Sequence, residues 1–263
     1  MDLIDAIILG IIQGLTEFLP VSSSGHLELG SALLGTAGEE NLLFTVIVHA
    51  ATALSTIIVF RNDILQIIKD VFRFEWNEST RFVVFIIISM IPIIIVGLGF
   101  KDEVESLFGG NIRLVGINLM VTGLLLSFTF FYKPQEGPLN GWKAFVIGIA
   151  QSIAVLPGIS RSGSTIATAL LLGVNRETAA RFSFLMVLVP ILGVSLLDFK
   201  DYLETPALAG GISGSALIAG FVAAFVSGLL ACTWMIRLVK RGKLIYFALY
   251  CIIVGIIAIA LSF

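Results

Sequence analysis

The sequence predicts an all-α polytopic membrane protein, with six transmembrane helices plus two re-entrant helix-loop-helix hairpins arranged as an inverted-topology repeat. Three observations predict it. The 263 residues are 57% hydrophobic and only 13% charged, with a mean hydropathy of +1.04, whereas soluble domains carry about 25% charged and about 45–50% apolar residues. Six segments are long and apolar enough to cross a bilayer: 42–60, 82–100, 112–131, 182–199, 212–236 and 244–263. Two more, 3–35 and 144–174, are apolar but broken midway by Pro, Gly and Ser clusters.

Taken in order, the first apolar stretch is not expected to be a cleavable leader. It opens with Asp2 and Asp5 where such a leader needs a basic region. It also fails as a span, because Gln13, Thr16 and Glu17 interrupt it and Pro20 stops it. It reads as half a span followed by a return helix, and 144–174 reads the same way. Irregular backbone at membrane depth survives only where protein or a water-filled cavity satisfies it. Each broken middle therefore belongs inside the protein.

Lys and Arg counts set the orientation. The connection 61–81 carries Arg61, Lys69, Arg73 and Arg81, and the one before the last span carries Arg237, Lys240, Arg241 and Lys243; both are expected inside. Acidic residues dilute Lys101 and Arg113 (Asp102, Glu103, Glu105) and Lys200 (Asp198, Asp201, Glu204), so these connections are expected outside. The first hairpin, flanked by Asp2, Asp5, Glu39 and Glu40, then enters from outside. The second, flanked by Lys133, Lys143, Arg176 and Arg181, enters from the cytoplasm. Arg161 alone is left within the membrane.

A gapless shift of 138 residues aligns the hairpins: Gly10, Ile11, Gln13, Ser22, Ser24, Gly25, Leu33, Leu34 and Gly35 match Gly148, Ile149, Gln151, Ser160, Ser162, Gly163, Leu171, Leu172 and Gly173. The units are 1–131 and 132–263, each a hairpin plus three spans. Three is odd, so the second unit inserts upside down, which the basic-residue count also gave.

Such symmetry brings the two loops together near the midplane. They hold the rare polar residues: Gln13, Glu17, Ser22, Ser23, Ser24 and His26 in one, Gln151, Ser160, Arg161, Ser162, Ser164 and Thr165 in the other. Two half-helix N-termini and an arginine form an anion site, and the guanidinium can engage two phosphate oxygens at once. Convergence requires Glu17 and Arg161 within about 16 Å, twice the Debye length at physiological ionic strength. Ser22 and Ser160 also suit helix N-caps, Glu17 could pair with Arg161 as a structural ion pair, and His49 suits an interhelical polar contact. Glu28 is placed at the cavity mouth. With 16 Lys and Arg against 18 Asp and Glu, no basic face exists for nucleic acid. Cys232 and Cys251 lie in apolar runs and read as packing residues. Small residues at Gly97, Gly99, Gly116 and Gly123 permit close helix contact within the chain or in a homo-oligomer.

The runs Gln13-Gly14-Leu15-Thr16-Glu17-Phe18-Leu19-Pro20-Val21-Ser22-Ser23-Ser24-Gly25-His26 and Leu156-Pro157-Gly158-Ile159-Ser160-Arg161-Ser162-Gly163-Ser164-Thr165 resemble the two signature motifs of the undecaprenyl-diphosphate phosphatase, or bacitracin-resistance, family. The resemblance covers nearly the whole chain. It implies hydrolysis of a polyprenyl diphosphate to the monophosphate and phosphate, recycling the lipid carrier of cell-wall synthesis in the plasma membrane, with the pocket opening outward. It implies Glu17, Ser23, His26 and Arg161 as the catalytic group, with Ser22, Ser160, Ser162 and Thr165 lining the phosphate pocket; Gln13, Ser24 and Gln151 are expected to bind substrate from their place among the polar loop residues. The family's first motif often opens on Glu where this chain has Gln13. A divalent cation, Mg or Ca, would then have Glu17 as its one anionic protein ligand, with phosphates supplying other oxygens. Attack by Ser23, with His26 or Glu17 handling protons, and direct attack by water both remain open. The rival reading is lipid-phosphate transport, since broken helices in inverted repeats also build secondary transporters.

Overall fold

Asp2 starts the first helix, α1 (Leu3–Phe18), through a capping box: its Oδ1 accepts from the Asp5 amide at 2.8 Å while the Asp5 carboxylate accepts from the Asp2 amide. Pro20 ends it, forcing Leu19 into extended backbone (ψ 145°). The chain returns as α2 (Ser23–Leu34), closed by Gly35 at φ 72°, a left-handed conformation that glycine adopts without penalty. The computed structural model describes residues 1–36, 42–100, 103–104, 106–107, 111–131, 137–193, 196 and 212–262. The flanking charges Glu39, Glu40, Lys101, Asp102, Glu105, Lys133, Asp198, Lys200, Asp201 and Glu204 lie outside the described residues, as does most of the expected span 182–199 beyond residue 193.

Further helices follow: α3 (Leu42–Val59), α4 (Arg61–Val71), α5 (Glu78–Gly99), α6 (Ile112–Phe131), α7 (Gly141–Ile153), α8 (Arg161–Leu171), α9 (Arg176–Met186), α10 (Gly214–Lys240) and α11 (Ile245–Leu261). Both expected broken segments are helix-turn-helix units, α1–α2 and α7–α8. By length and composition, α5, α6 and α10 can each cross a membrane, and α3 with α4 makes a fourth candidate bent by 74°. The sequence reading placed only a connection at 61–81. Phe60 instead leaves helical geometry (φ −96°, ψ 15°) for one residue and α4 begins at once. Stretch 182–199 is also not one uninterrupted helix: α9 starts at Arg176 under an Asn175 cap and gives way to a turn at Val187. Pro190, lacking an amide hydrogen, cannot bond the Met186 carbonyl one turn back. At 17 residues, α11 is shorter than the expected 244–263.

The polarity of the molecule is that of an integral membrane protein. Ile87, Ile94 and Leu98 on α5 are 59%, 53% and 83% exposed, whereas Gln13, Thr122, Gln151 and Ser89 are wholly buried. Hydrocarbon outside tolerates the former, and only the interior can satisfy the latter. The first helix of each hairpin packs on a long helix distant in sequence, α1 along α10 and α7 along α5. Glycine permits these contacts: a Cβ on Gly10 would lie 2.5 Å from the Gly220 carbonyl oxygen. Where α6 meets α11 the approach is reciprocal, a Cβ on Gly116 falling 2.8 Å from the Gly255 oxygen and one on Gly255 falling 2.6 Å from the Gly116 oxygen. Gly123 likewise packs on α11, whereas Gly97 and Gly99 have nothing within 4 Å of an added Cβ.

These contacts give a stability prediction. Gly116→Ala must push α11 outward against backbone, so it is expected to cost about 1–3 kcal/mol, seen as a lower thermal unfolding midpoint in detergent. Gly97→Ala is expected to leave the midpoint unchanged or raise it slightly. Equal midpoints for Gly116→Ala and the parent would refute the close crossing.

Candidate active site

The loop after α1 carries Ser22 at φ 70° and ψ 102°, a backbone conformation that costs a non-glycine residue of order 1–3 kcal/mol. Ser22 also caps α2, its Oγ accepting from the Gly25 amide at 3.3 Å. The second loop mirrors this, with Ser160 capping α8 by accepting from the Gly163 amide at 3.1 Å. In both helices the first-turn amides before that bond have no intrahelical acceptor and carry the positive end of the dipole. Polar side chains of α6 hold the second loop. Asn118 Nδ2 donates to the Pro157 carbonyl (2.7 Å), and Thr122 Oγ1 donates to the Gly158 carbonyl (3.2 Å) while accepting from the Ser160 amide (3.0 Å). Gly158, at φ 88°, is required here, because a Cβ would sit 2.5 Å from the Val115 carbonyl oxygen.

The two loops touch. Ser162 Oγ donates to the Leu19 carbonyl at 3.1 Å, and a Cβ on Gly25 would come 3.0 Å from Gly158 Cα. Across this seam Arg161 Nη2 donates to Glu17 Oε1 at 2.5 Å, far inside the 16 Å (about two Debye lengths) that convergence requires. The other carboxylate oxygen, Oε2, accepts from Ser23 Oγ at 2.7 Å and from Gln13 Nε2 at 3.0 Å. Glu17 is 5% exposed and Arg161 25%. One carboxylate thus holds a hydroxyl and a guanidinium from opposite hairpins.

The remaining residues arrange themselves around this trio. His26 does not bond Ser23: its Nδ1 lies 2.8 Å from the Ser22 carbonyl and its Nε2 2.8 Å from the Tyr250 hydroxyl. Ser22 Oγ approaches Ser24 Oγ at 3.4 Å, and Ser160 Oγ approaches Ser162 Oγ at 3.3 Å. Thr165 Oγ1 bonds Ser183 Oγ on α9 and donates to the Arg161 carbonyl, so it braces α8. Gln151 is fully buried with neither amide atom partnered by protein, and Gln13 Oε1 is likewise unpartnered. Glu28 is buried on α2. His49 Nδ1 lies 2.8 Å from the Thr45 carbonyl of its own helix. Asn118, Thr122, Ser183 and Tyr250 escaped the sequence reading. Asn118 and Thr122 had a signal, two polar residues four apart in the apolar run 112–131. Nothing local pointed to Ser183 or Tyr250.

The family described as bacitracin resistance protein BacA matches residues 6–257 of this chain. The chain belongs to that family. A relative from Bacteroides fragilis, named undecaprenyl-diphosphatase, is 57% identical over 263 residues, covering all of this chain and 99% of its own length. One of the same name from Bacteroides thetaiotaomicron is 56% identical over 260 residues, 98% of each chain. Another from Methanosphaera stadtmanae is 40% identical over 280 residues, covering all of this chain and 99% of the relative.

For a metal in this chain, the donor set is narrow. No group of three or more His, Cys, Asp or Glu stands together among the described residues. Glu17 and the orphaned Gln13 Oε1, one helical turn apart, offer hard oxygens of the kind that Mg²⁺ or Ca²⁺ accept. They fit a cation that takes its other ligands from bound phosphates.

Proposed function

We propose that the chain is a membrane undecaprenyl-diphosphate phosphatase, converting the polyprenyl diphosphate to its monophosphate and inorganic phosphate and thereby conferring bacitracin resistance. The observation that carries this is Glu17, accepting at once from Ser23 Oγ and from Arg161. A hydroxyl bonded to a carboxylate is a nucleophile beside its base. One guanidinium N–H is spent on Glu17, leaving the other donors of Arg161 for phosphate oxygens.

In the reaction, Arg161, the first-turn amides of α2 and α8 and the hydroxyls of Ser22, Ser24 and Ser160 hold the diphosphate, while Ser162 ties the two loops through the Leu19 carbonyl. Ser23 Oγ attacks the terminal phosphorus as its proton passes to Glu17. The bond from that phosphorus to the bridging oxygen breaks, and the lipid monophosphate leaves. Water then attacks the phosphoserine, its proton taken by His26, while Glu17 returns the proton it received to Ser23 Oγ as phosphate departs. Gln13 orients Glu17, and Gln151 turns its unpartnered amide to substrate or water. Glu17 and Gln13 would hold a divalent cation, which neutralises phosphate charge when bound. Transport is the weaker reading, since a carrier has no use for a hydroxyl set against a carboxylate.

The six-span, two-hairpin inverted repeat, with units 1–131 and 132–263, is supported by features that recur at the 138-residue shift. Ser22 and Ser160 cap with the same bond. Gly35 and Gly173 share φ values of 72° and 75°. The α1–α10 contact has its counterpart in α7–α5. The Lys and Arg distribution favours a first hairpin entering from outside and a second from the cytoplasm, and the family resemblance implies a site opening to the outer face of the plasma membrane. A homo-oligomer is compatible with this arrangement.

The test is phosphate release by protein purified in detergent, followed by acid quench and mapping of radiolabelled phosphate. A phosphorylated Ser23 in the parent, lost in Ser23→Ala, is the expected result. Phosphate release in a competent single turnover with no enzyme-bound phosphate would replace serine attack by direct attack of water. No release at all would end the phosphatase reading.

A further inference from the structure

We propose that Tyr250 is a positioning residue for His26, fixing the imidazole in one tautomer and serving as the reversible partner of its Nε2. The proposal rests on the phosphatase reading. A carbonyl oxygen only accepts, so with Ser22 O at 2.8 Å, Nδ1 carries its hydrogen whether the ring is neutral or charged. The nitrogen that gains and loses a proton is therefore Nε2, which faces the Tyr250 hydroxyl at 2.8 Å.

A phenol is suited to that place. Its O–H donates to neutral Nε2, and after rotation about the C–O bond its oxygen accepts from protonated Nε2–H. A carboxylate would hold the ring cationic, and an ammonium would hold it neutral. Only a hydroxyl serves both states without bias from a formal charge. The two rings are also nearly parallel, with centroids 5.6 Å apart and planes 12° from parallel, so the phenol ring lies beside the imidazole and its hydroxyl meets Nε2 from near the ring plane. Tyr250 reaches His26 from α11, 224 residues along the chain, and α11 is held by the Gly116–Gly255 crossing. His26 sits one helical turn beyond Ser22, on the helix that starts with Ser23. The imidazole is thus held at both nitrogens, by the Ser22 carbonyl on one side and the phenol oxygen on the other. Small displacements of a catalytic group cost large factors in rate.

The experiment combines steady-state phosphate release with ¹⁵N NMR of ring-labelled histidine in the detergent-solubilised full chain. The chain has 2 histidines, so His49→Asn assigns the His26 signals. Tyr250→Phe keeps the ring and loses the hydroxyl. It is expected to lower kcat about tenfold, the kinetic equivalent of one hydrogen bond, with KM unchanged. The Nε2 resonance of His26 should move while Nδ1 stays. Tyr250→Leu, which loses the aromatic ring as well, should fall further. An unmoved Nε2 signal, a parental kcat, or a loss confined to KM in Tyr250→Phe overturns the proposal. If the parent chain releases no phosphate, the phosphatase reading fails, while the Nε2 signal still decides whether phenol and imidazole are paired.

Discussion

Arg161→Lys is expected to release phosphate about 10³-fold more slowly than the parent, with Arg161→Ala slower again; arginines that stabilise phosphoryl transfer contribute about 10³–10⁵. The reason is geometric as well as electrostatic. Arg161 is the first residue of α8 and reaches across the seam to Glu17 while keeping four further N–H donors. A planar fork can hold the carboxylate with one edge and two phosphate oxygens with another. An ammonium is a compact point charge that must choose. Lysine therefore keeps the charge and the fold but loses simultaneous grip on base and substrate. Single-turnover phosphate release against polyprenyl diphosphate, alongside the thermal midpoint, separates a chemical loss from an unfolded sample. A lysine variant within about tenfold of the parent would mean that charge alone suffices and that the fork has no role.

How much of this was legible beforehand depends on range along the chain. Local chemistry read well: Asp2 and Asp5 start α1, Pro20 ends it, Ser22 and Ser160 begin the return helices, and Gly35 closes α2. The meeting of Glu17 and Arg161, 144 residues apart, was also legible, because symmetry and the scarcity of intramembrane charge leave each one plausible partner. What escaped depends on packing angles that no short window encodes. His26 and Ser23, three apart on one helix, read as a nucleophile and its base. Yet Ser23 turns to Glu17 and His26 to Tyr250, because the pitch of α2 against α1 and α11 decides which acceptor each side chain meets. The bend at Phe60 was hidden for a related reason: residues 42–71 stay helical on both sides and only one residue's dihedrals depart. Gly116 and Gly97 look alike in sequence, but one meets backbone and the other nothing.

Glu17→Gln is expected to reduce turnover about 10²–10⁴-fold, the usual contribution of a positioned general base, and also to lower stability. With Glu17 5% and Arg161 25% exposed, the substitution leaves a partly buried guanidinium without its counter-charge. Breaking a buried pair from one side costs about 3–5 kcal/mol, and the residual exposure of Arg161 points to the lower end. These two losses have different origins, and a double substitution separates them. In Glu17→Gln/Arg161→Gln the orphaned charge is gone, so the thermal midpoint should recover part of the way toward the parent. Turnover should not recover, because neither the proton acceptor for Ser23 nor the phosphate clamp has been restored. Were the pair only a structural tie between the hairpins, activity would climb with the midpoint in the double variant. Recovery of both together would therefore remove the pair from the chemistry, whereas a stable double variant that stays inactive, beside a Glu17→Gln single variant whose turnover is lost with Arg161 in place, assigns both partners to the reaction as well as the fold.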